Sequence, residues 1–594
     1  VGGMINTDAS GQGSCLYGKT RDHVLELTTV FLDGSEWTSK PLTEEEYRAV
    51  AQRQDRVGEL HRVVNSIHKE HKDDIEAKFP KLNRCLTGYD LAHIRTDADE
   101  FDLNSVLCGS EGTLGFIAEA KLNLLPIPKV SALVNVKYEN FNAALRDATE
   151  LMKAGPTSIE TVDSKVLNLA MNDIVWNTVS EFFPPTEGKT IQGINLVEYT
   201  ADDEETLQAN IKVLTDQLDQ QADREDCPSI GYSVAWGSAA VAKIWAMRKK
   251  SVGLLGNADG EARPIPFVED TAVPPENLAD FIVEFRQLLD QHELPYGMFG
   301  HVDAGVLHVR PAIDMKDPEQ EALIREISDQ VAELTQKYNG LLWGEHGKGV
   351  RSEFAPKFFG DLYPQLQRIK ATCDPRNQLN PGKIATPDDH HALSKIDEVT
   401  TRGQEDRKIP VQVWDGYSEG MYCNGNGACY NWNPNDAMCP SWKGTRERIH
   451  SPKGRASLIR EWLKQMSERG IDPVQESARV KQQSFFGTLF ARTKNTLARS
   501  KGDYDFSNEV MTSMEGCLAC KSCVGQCPIK VDVPSFRSKF LELYYSRYLR
   551  PLKDYFIGGL EFLMPTLARV PWLYNGVMKP QFMQSIMARV TGMV

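Results

Sequence analysis

The sequence is short of positive charge and contains no long apolar run. Its 594 residues include 67 Lys and Arg against 82 Asp and Glu, which gives a formal net charge of −15. A nucleic-acid partner would require a basic face, so this balance argues against one. No apolar run reaches the roughly 18–20 residues of a membrane-spanning helix. The most apolar stretch, residues 555–578, is broken by charged residues and prolines, so we expect at most peripheral contact with a membrane.

Cysteine is also scarce until late in the chain. Five of the twelve cysteines are scattered between Cys15 and Cys373, and seven fall between Cys423 and Cys527. A secreted disulfide scaffold would be shorter and more evenly cross-linked. The distribution therefore predicts a reducing compartment, the cytoplasm or the inner face of a membrane, and a metal cofactor.

The length exceeds what one hydrophobic core supports and predicts several domains. Glycine turns and short β-rich runs, such as residues 24–32 and 105–107, fill the first part. Short strands then alternate with single helices, which predicts an α+β protein with a ferredoxin-like antiparallel sheet. The expected parts are a first domain at 1–127 with a polar helical insertion at about 42–86, a second domain at 128–385, a charged linker at 386–410, a helical cysteine-rich domain at 411–545 and a helical extension at 546–594.

The strongest motif is a run of four cysteines, Cys517-x2-Cys520-x2-Cys523-x3-Cys527, followed by Pro528. This is the spacing with which bacterial ferredoxins hold a [4Fe–4S] cluster. A zinc knuckle normally uses two separated cysteine pairs instead. The run therefore predicts one [4Fe–4S] cluster.

Three further cysteines form a less regular set, Cys423-x5-Cys429-x9-Cys439. In two-cluster ferredoxins the cysteine before a proline ligates the other cluster. By that rule Cys439, which precedes a proline, would replace Cys527 in the first set, and Cys527 would join Cys423 and Cys429. The second site would then lack one thiolate. A three-iron cluster, a four-iron cluster with a non-cysteine ligand and no cluster at all remain open.

Three histidines and a glutamate lie beside glycine turns. His301 and His308 flank one turn, and Glu345 and His346 lie in a second glycine-rich loop. His308 and Arg310 share one face of a short strand by the period of two. Two histidines and a carboxylate make a site for a first-row metal with positions open to a substrate. The grouping favours a functional site over isolated structural histidines.

Three segments resemble a known family of flavoproteins. Residues 109–117, Gly-Ser-Glu-Gly-Thr-Leu-Gly-Phe-Ile, resemble the flavin-contacting segment of the vanillyl-alcohol oxidase and p-cresol methylhydroxylase superfamily. Residues 1–11, with Tyr17-Gly18, resemble the second flavin loop of that family, and residues 373–384 resemble the closing segment of its cap domain. With the cysteines behind them, the whole resembles the large bacterial D-2-hydroxyglutarate dehydrogenase subgroup, close to D-lactate and glycolate dehydrogenases.

The resemblance implies a fold and a flow of electrons. Residues 1–127 would be the second half of an FAD-binding domain, and residues 128–385 the cap or substrate domain. Electrons would pass from the substrate to FAD, then to the [4Fe–4S] cluster and to an external acceptor, a quinone or an electron-transfer protein, in a homo-oligomer. Glycines let the backbone approach a flavin closely. The expected FAD-contacting residues are Gly2, Gly3, Asn6, Thr7, Ala9, Gly11, Gly18, Gly109, Gly112, Thr113, Gly115, Ile117, Asn380 and Lys383.

The sequence departs from the family at its beginning. Val1-Gly2-Gly3 lies inside a glycine-rich loop with no strand before it, and the first flavin loop of the family has no counterpart. The cysteine-rich C-terminal domain that often follows in the subgroup has none either. We therefore expect an internal piece of a longer protein that binds FAD weakly or not at all.

The resemblance also assigns roles to the histidine site. His301, His308 and Glu345 would hold a divalent metal, for which we expect zinc. His346 would be the base that removes the proton of the substrate 2-hydroxyl, because an imidazole titrates near neutral pH. The metal would hold that hydroxyl and lower its pKa.

Two arginines complete the expected substrate site. Arg248 corresponds to the carboxylate clamp of the family, a role that suits a guanidinium. Arg310 stands where small members usually carry Asn, and an extra cation favours a dicarboxylate such as D-2-hydroxyglutarate. Three alternatives stay open: a D-lactate or glycolate dehydrogenase, a non-catalytic electron-transfer subunit, and arginines that serve only in surface salt bridges.

Overall fold

The structure is a computed structural model that describes residues 1–85, 88–222, 224, 227–257 and 260–591. The chain divides into two compact units, Val1–Gln404 and Glu405–Val594. The end of the predicted helical insertion, residue 86, and the last three residues of the predicted extension lie outside the described residues. The finer division into five parts stays a prediction.

A small antiparallel sheet opens the first unit. It consists of β1 (Val24–Val30), β2 (Glu36–Ser39) and β3 (Phe116–Leu122), in the order β2-β1-β3. Gly34 has a φ of 82°, so the turn between β1 and β2 requires a residue without a Cβ. The predicted strand at 24–32 is thus present, and it ends where this turn begins.

The predicted helical insertion between β2 and β3 contains the helices Glu44–Ala51, Arg56–Glu70 and Lys72–Lys78. Thr43 caps the first helix in a capping box with Glu46, and Asp55 caps the second. The second helix buries a stripe with helical spacing, namely Val57, Leu60, Val64 and Ile67.

Residues 105–107, predicted to be strand-like, are instead part of the short helix Asn104–Leu107. The carboxylate of Asp102 accepts a hydrogen bond from the Asn104 backbone N–H at 2.9 Å, which starts the helical turn. All four residues of the helix are buried, and a short run that is buried all round carries no period from which to tell helix from strand.

A larger, wholly antiparallel sheet forms the rest of the first unit. Its strand order is β7-β4-β6-β5-β10-β11-β8, and β9 also pairs with β11. This mixed helix and antiparallel-sheet structure confirms the predicted α+β class in its coarse form. The strands are β4 (Val130–Tyr138), β5 (Ser158–Asp163), β6 (Gly193–Ala201), β7 (Tyr232–Trp236), β8 (Arg263–Pro264), β9 (Thr271–Ala272), β10 (Tyr296–His301) and β11 (Val306–Ile313).

The two faces of this sheet are buried in separate apolar cores. Along β4, Val134 and Val136 enter one core while Leu133 enters the other, as the alternation of a strand requires. Helices cover the sheet and connect its strands. In the first unit the other helices are Gly2–Thr7, Ser14–Tyr17, Phe141–Met152, Ser164–Met171, Glu204–Ala222, Ser238–Leu254, Leu278–Gln291, Pro318–Lys337, Ala355–Phe359 and Tyr363–Cys373.

Part of the stretch predicted as a linker packs onto the first unit. Ile396 is buried, and its backbone N–H donates to Glu353 at 2.7 Å. The guanidinium of Arg325 bridges Glu353, at 2.9 Å, and Asp397. The short helix Arg402–Asp406 contains the boundary between the two units.

The second unit is helical throughout the part that the structure describes. Its core includes Trp414, Trp462 and Phe540, and several cysteines are buried in it. Its helices are Val411–Gly416, Ser418–Met421, Pro440–Thr445, Pro452–Glu468, Pro473–Lys481, Phe485–Ser500, Phe506–Glu515, Ser522–Gln526, Val533–Arg547, Leu552–Leu567, Pro571–Met578 and Gln581–Thr591.

The apolar stretch at 555–578 lies in two of these last helices. Their large side chains are exposed, with Phe562 at 81% and Trp572 at 74% of full exposure. Among the described helices, none has both the length and the apolar character that crossing a membrane requires.

Candidate active site and cysteine groups

A β-hairpin brings the first two histidines together. His301 ends β10, His308 lies on β11, and the ring centroids are 5.3 Å apart. Gly305 in the connecting turn has a φ of 69°, and a Cβ there would lie 1.9 Å from the carbonyl oxygen of Val273. The turn therefore requires glycine, and the period of two along each strand directs both imidazoles to the same side.

Glu345 completes a group of three possible metal ligands. Its Oε2 lies 3.1 Å from Nε2 of His301 and 3.3 Å from Nε2 of His308. All three residues are buried, and their ligand atoms lie within 4.8 Å of one another. Two imidazole nitrogens and one carboxylate oxygen in this arrangement fit a divalent first-row metal with coordination positions left open.

Carboxylates behind the two histidines fix their orientation. Nδ1 of His301 donates to Glu160 on β5, and Nδ1 of His308 donates to Asp270 at 2.9 Å. Each Nδ1 is thus hydrogen-bonded to a carboxylate, and both Nε2 atoms face Glu345. A carboxylate on the second ring nitrogen is the usual support for a metal-binding histidine. Burial alone would raise the pKa of Glu160, but its interactions with His301 and with the guanidinium of Arg248 lower it to about 2.

Arg84 connects Glu345 to the first segment of the chain. Its side chain is fully buried, and Nη1 donates to Glu345 Oε2 at 3.1 Å. Nη2 donates to the carbonyl of Gly11 at 2.5 Å, and Nε donates to the hydroxyl of Ser14 at 2.9 Å. Burial would raise the pKa of Glu345, but hydrogen bonds from the three histidines around it hold the pKa far below its usual range.

His346 lies at the open side of this group, with 57% of its side chain exposed. Nδ1 is 2.7 Å from Asp270 Oδ2, and Nε2 is 3.1 Å from Glu345 Oε1. These two carboxylates raise the pKa of His346 to about 10. His346 and Asp270 both have a left-handed backbone, with φ of 59° and 68°, and such strain is concentrated at functional sites.

The two predicted arginines lie together beside the histidines. The guanidinium carbons of Arg248 and Arg310 are 5.1 and 5.2 Å from the ring centroid of Phe299. Arg248 pairs with Glu160 at 2.5 Å, while Arg310 forms two hydrogen bonds with Glu269, at 2.7 and 2.9 Å. Both partners are buried carboxylates, so these are not salt bridges between exposed groups. Among the described residues, the buried Nε of Arg248 has no hydrogen-bond partner.

Two segments with resemblance to flavin loops pack side by side. Residues 2–7 were expected in a loop, but they form the helix Gly2–Thr7, in which the side chains of Asn6 and Thr7 donate to the carbonyls of Gly2 and Gly3 at 3.0 and 3.1 Å. The N–H of Glu111 donates to the carbonyl of Asn6 at 2.7 Å. Within the described part of the chain, the buried atoms Asn6 Oδ1 and Ser10 Oγ lack a hydrogen-bond partner.

Glu111 joins the flavin-like segment to the loop of Glu345 and His346. Its carboxylate accepts the N–H groups of Lys348, at 2.5 Å, and Gly349, at 3.1 Å. Its carbonyl accepts the side-chain amide of Asn380 at 2.8 Å. Burial of the Glu111 carboxyl raises its pKa. Predicted FAD-contacting residues from three parts of the sequence thus meet beside the histidine site.

The other predicted FAD-contacting residues are placed less centrally. Ile117 lies on β3 opposite Thr29, and Gly115 packs against Thr29 and Val30. The hydroxyl of Thr113 is engaged with Tyr89 at 2.6 Å. Three of them form hydrogen bonds through their backbone: Gly109 with Ile5, Ala9 with Met4 and Thr20, and Gly11 with the side chain of Arg84. Gly18 ends the helix Ser14–Tyr17, and a Cβ on Gly112 would meet no neighbouring atom within 4 Å. Burial lowers the pKa of Lys383.

Sequence reasoning missed the residues that support the site. Lys348 is fully buried, and its Nζ lies 4.6 and 4.5 Å from the ring centroids of Trp343 and Phe359. The sequence offered one indication of Lys348: it lies between two glycines in the loop that contains His346. The adjacent acids Glu269 and Asp270, between apolar residues, were a second signal. Neither Glu160 nor Arg84 has a local pattern that marks it.

The cysteines of the second unit fall into two groups. Cys439, Cys517, Cys520 and Cys523 line one small cavity, whose lining does not include Cys527. The thiols of Cys423, Cys527 and Cys439 are all near enough to Cys429 to interact with it electrostatically, and burial raises the pKa of Cys429 to about 11. Cys439 thus lines the cavity of the first group and is also close to the second, and its replacement of Cys527 stays a prediction.

The spacing of the thiols differs from that of a single zinc site. In the described part of the chain, the ligand groups whose atoms lie within 4.8 Å of one another contain no cysteine. Tetrahedral zinc with Zn–S bonds of about 2.3 Å brings its sulfur atoms to roughly 3.8 Å from one another.

Comparison with known proteins identifies relatives over the whole chain. Residues 127–384 match the family described as FAD linked oxidases, C-terminal domain, which confirms the predicted resemblance for that region. The D-2-hydroxyglutarate dehydrogenase of Pseudomonas putida is 58% identical over 595 residues, and that of Escherichia coli is 51% identical over 598. Each alignment covers 100% of this chain and 59% of the relative, so the chain spans about three-fifths of their length.

More distant relatives match about two-thirds of the chain. The glycolate oxidase subunit of Bacillus subtilis is 23% identical over 392 residues, which are 65% of this chain and 68% of the relative. Among solved structures, 4-ethylphenol oxidase from Gulosibacter chungangensis has a TM-score of 0.41 at 12% identity, covering 65% of this chain and 69% of that one.

Proposed function

We propose that this chain, whose residues 127–384 carry the C-terminal domain of FAD linked oxidases, oxidises a D-2-hydroxy acid at FAD. The substrate that we propose is D-2-hydroxyglutarate, which would give 2-oxoglutarate. Relatives that align over the whole chain are named D-2-hydroxyglutarate dehydrogenase. The observation that carries the proposal is the convergence of His301, His308 and Glu345 beside two arginines.

His301, His308 and Glu345 would hold a divalent cation, for which we propose zinc. The donor set supports this, because two nitrogens and one oxygen suit zinc and leave room for a substrate. A bound divalent cation supplies positive charge that lowers the pKa of a substrate hydroxyl. The carboxylates of Glu160 and Asp270 keep both Nε2 atoms aimed at the site.

His346 would take the proton of the 2-hydroxyl. Asp270 accepts a hydrogen bond from Nδ1 at 2.7 Å, so Nε2, which lies 3.1 Å from Glu345 Oε1, is the atom that would exchange a proton with the substrate. The two carboxylates raise the pKa of His346, so this role requires a divalent cation held by Glu345, whose charge would offset theirs and lower that pKa. More than half of the imidazole is exposed, so a substrate can reach it. The left-handed backbone at His346 presents the ring on the open side of the metal ligands.

Arg248 and Arg310 would bind the carboxylates of the substrate. The unpaired Nε of Arg248 offers a donor to the carboxylate next to C2. Glu269 occupies Nε and Nη2 of Arg310, but a guanidinium has five N–H donors, so others remain for a second carboxylate.

FAD would bind where the first segment, residues 109–112 and Asn380 meet. The unpartnered atoms Asn6 Oδ1 and Ser10 Oγ support this fit, because buried polar atoms normally have partners. Bound FAD supplies the acceptor for the hydride that leaves C2 of the substrate. The chain itself contributes the backbone of Gly109 and Gly112, which allow close approach of the flavin.

Cys439, Cys517, Cys520 and Cys523 would hold a [4Fe–4S] cluster, because their four thiols line one cavity. We propose a second, three-cysteine site at Cys423, Cys429 and Cys527. When bound, a cluster accepts electrons one at a time, and we propose that they go on to a quinone or an electron-transfer protein. The assembly that we propose is a cytoplasmic homo-oligomer with at most peripheral membrane contact.

A substrate panel tests the proposed reaction. The purified chain is supplied with excess FAD and zinc without oxygen, and the flavin absorbance is followed after adding D-2-hydroxyglutarate, D-lactate or glycolate. Loss of the flavin band with D-2-hydroxyglutarate, faster than with the others, is expected. A flavin that is bound but is not reduced by any D-2-hydroxy acid would contradict the proposal and favour a non-catalytic electron-transfer subunit.

A D-lactate or glycolate dehydrogenase is the second candidate. Its support is the pairing of Arg310 with Glu269, which engages the very cation that would favour a dicarboxylate. In that case D-lactate or glycolate would reduce the flavin fastest, and D-2-hydroxyglutarate would have no advantage.

A further inference from the structure

Arg455 is a buried cation without a carboxylate partner among the described residues. It lies on the helix Pro452–Glu468 and is 1% exposed. Nε donates to the carbonyl of Ser513 at 2.9 Å, Nη2 donates to the hydroxyl of Ser441 at 2.9 Å, and Nη1 donates to the carbonyl of His450 at 2.5 Å. These acceptors are all neutral. A buried charge with no opposite charge nearby is costly, so a counter-charge is expected.

The remaining contact of the guanidinium is a cysteine sulfur. Nη1 lies 3.8 Å from Sγ of Cys439, and Arg455 lines the cavity with Cys439, Cys517, Cys520 and Cys523. Cluster ligands are thiolates, and four thiolates outweigh the positive charge of an iron–sulfur core. The cluster would therefore supply the missing negative charge.

We propose that Arg455 positions Cys439 as the fourth cluster ligand and raises the reduction potential of that cluster. This inference rests on the proposed [4Fe–4S] site. One-electron reduction adds a negative charge to the cluster. A fixed cation nearby stabilises the reduced state more than the oxidised state, and an N–H donated to a ligand sulfur acts in the same direction.

A second buried arginine of the same helix shows the contrast. Arg460 is paired with the buried carboxylate of Asp406 through Nε, at 3.1 Å, and Nη2. Its Nη1 lies 3.4 Å from the carbonyl of Cys423, in the three-cysteine group. The carboxylate of Asp406 already balances the charge of Arg460. The four-cysteine cavity therefore differs from the three-cysteine group in having beside it an arginine, Arg455, whose charge no carboxylate among the described residues balances.

The test compares Arg455→Gln, Arg455→Lys and the unchanged chain, with Arg492→Gln as a matched control. The guanidinium of Arg492 donates to the carbonyl of Ser546 at 3.3 Å, so the control also removes an arginine from a backbone carbonyl of the second unit, and neither residue lines the cavity. Each protein is reconstituted with iron and sulfide without oxygen. Iron and sulfide content are measured, and the cluster is titrated with dithionite while the spin-resonance signal of the reduced cluster is followed.

At equal iron content, we expect the most negative reduction potential for Arg455→Gln and a less negative one for Arg455→Lys. The unchanged chain and the control should share the highest potential. If the Gln variant does not fold, the Lys variant alone must show a more negative potential, because it keeps the charge but not the guanidinium geometry. Equal potentials in all folded proteins would overturn the role of Arg455. An unchanged chain that takes up no iron or sulfide would overturn the cluster itself.

Discussion

The histidine site of the first unit and the cysteine groups of the second unit differ in how complete they are without a cofactor. Around His301, His308 and Glu345 the possible ligand atoms lie within 4.8 Å, and buried carboxylates and Arg84 balance the charges. The four cysteines instead line a small cavity beside Arg455, a buried cation whose hydrogen-bond acceptors are neutral. The first site is assembled by the fold, whereas the second would be completed by the proposed cluster.

Removal of one metal ligand gives the largest expected effect. His308→Asn should abolish metal binding and lower turnover by roughly a thousandfold, because a divalent cation contributes several kcal/mol to such reactions. The fold should survive, because the carboxylates beside His308 retain other partners. Asp270 still pairs with His346 and Arg351, and Glu269 still pairs with Arg310. Metal analysis, turnover and thermal unfolding measure the three effects.

The exposed His390 provides the control for this variant. His390→Asn should keep metal and turnover. Full metal occupancy in His308→Asn would remove the assignment, and a large loss of stability would show that the site is not assembled independently of its metal.

The cysteine groups should respond in the opposite way. Cys439→Ser should lose the [4Fe–4S] cluster and destabilise the second unit by roughly 3–4 kcal/mol, the contribution of a tightly bound ligand. Cys527→Ser should keep that cluster, because Cys527 does not line the cavity. Iron content and hydrogen exchange of the second unit check both variants. If Cys527→Ser loses the cluster and Cys439→Ser keeps it, the motif Cys517 to Cys527 binds the cluster by itself.

The fold could largely be predicted wherever the sequence has a clear period. Apolar residues recur with helical spacing in the segments 276–292 and 317–338, and these segments contain the helices Leu278–Gln291 and Pro318–Lys337. The segments 2–7 and 105–107 lack a period, and both were predicted wrongly.

The histidine site could be predicted only in its local part. His301 and His308 flank a glycine turn, so the sequence places them together. The partners behind them come from distant positions: Glu160 is 141 residues from His301, and Asp270 is 38 residues from His308. Glu160 meets His301 only because β5 pairs with β10, and no local pattern of residues encodes the order of strands in a sheet.

A smaller effect concerns the choice of substrate within the histidine site. Arg310→Gln should reduce kcat/KM for D-2-hydroxyglutarate by roughly 10–200-fold, since a charge-assisted contact contributes about 1.5–3 kcal/mol. D-lactate, which has no second carboxylate, should be largely spared. Steady-state kinetics with both substrates give the measurement.

Glu269→Gln is the matched variant, because it breaks the same ion pair from the other side. It should leave D-2-hydroxyglutarate turnover less affected than Arg310→Gln does. Equal losses with both substrates in both variants would mean that Arg310 serves only to hold Glu269.

The effect that is smallest for each unit of the variable changed concerns the stability of the first unit and its dependence on pH. Burial lowers the pKa of Lys348 to about 7, so between that pH and the ordinary lysine pKa of about 10.4 the unfolded chain binds a proton that the folded chain does not. The free energy of unfolding should therefore rise with pH in this window, by about 1.4 kcal/mol per unit from this group.

Lys348→Met should remove this slope. The variant should be more stable than the unchanged chain near pH 7, and the difference should shrink toward pH 9.5. Urea unfolding at pH values across this range tests it. A difference that stays constant with pH would show that Lys348 is charged within the folded protein.

The most direct test of the account is the affinity for D-2-hydroxyglutarate with and without zinc. Calorimetry on the chain, first stripped of metal and then supplied with one equivalent of zinc, requires neither turnover nor bound FAD. We expect binding at least about tenfold tighter with zinc, a gain of about 1.4 kcal/mol, and a preference for the D over the L enantiomer. Equal affinity in both states would contradict the central claim that His301, His308 and Glu345 hold the cation that binds the substrate.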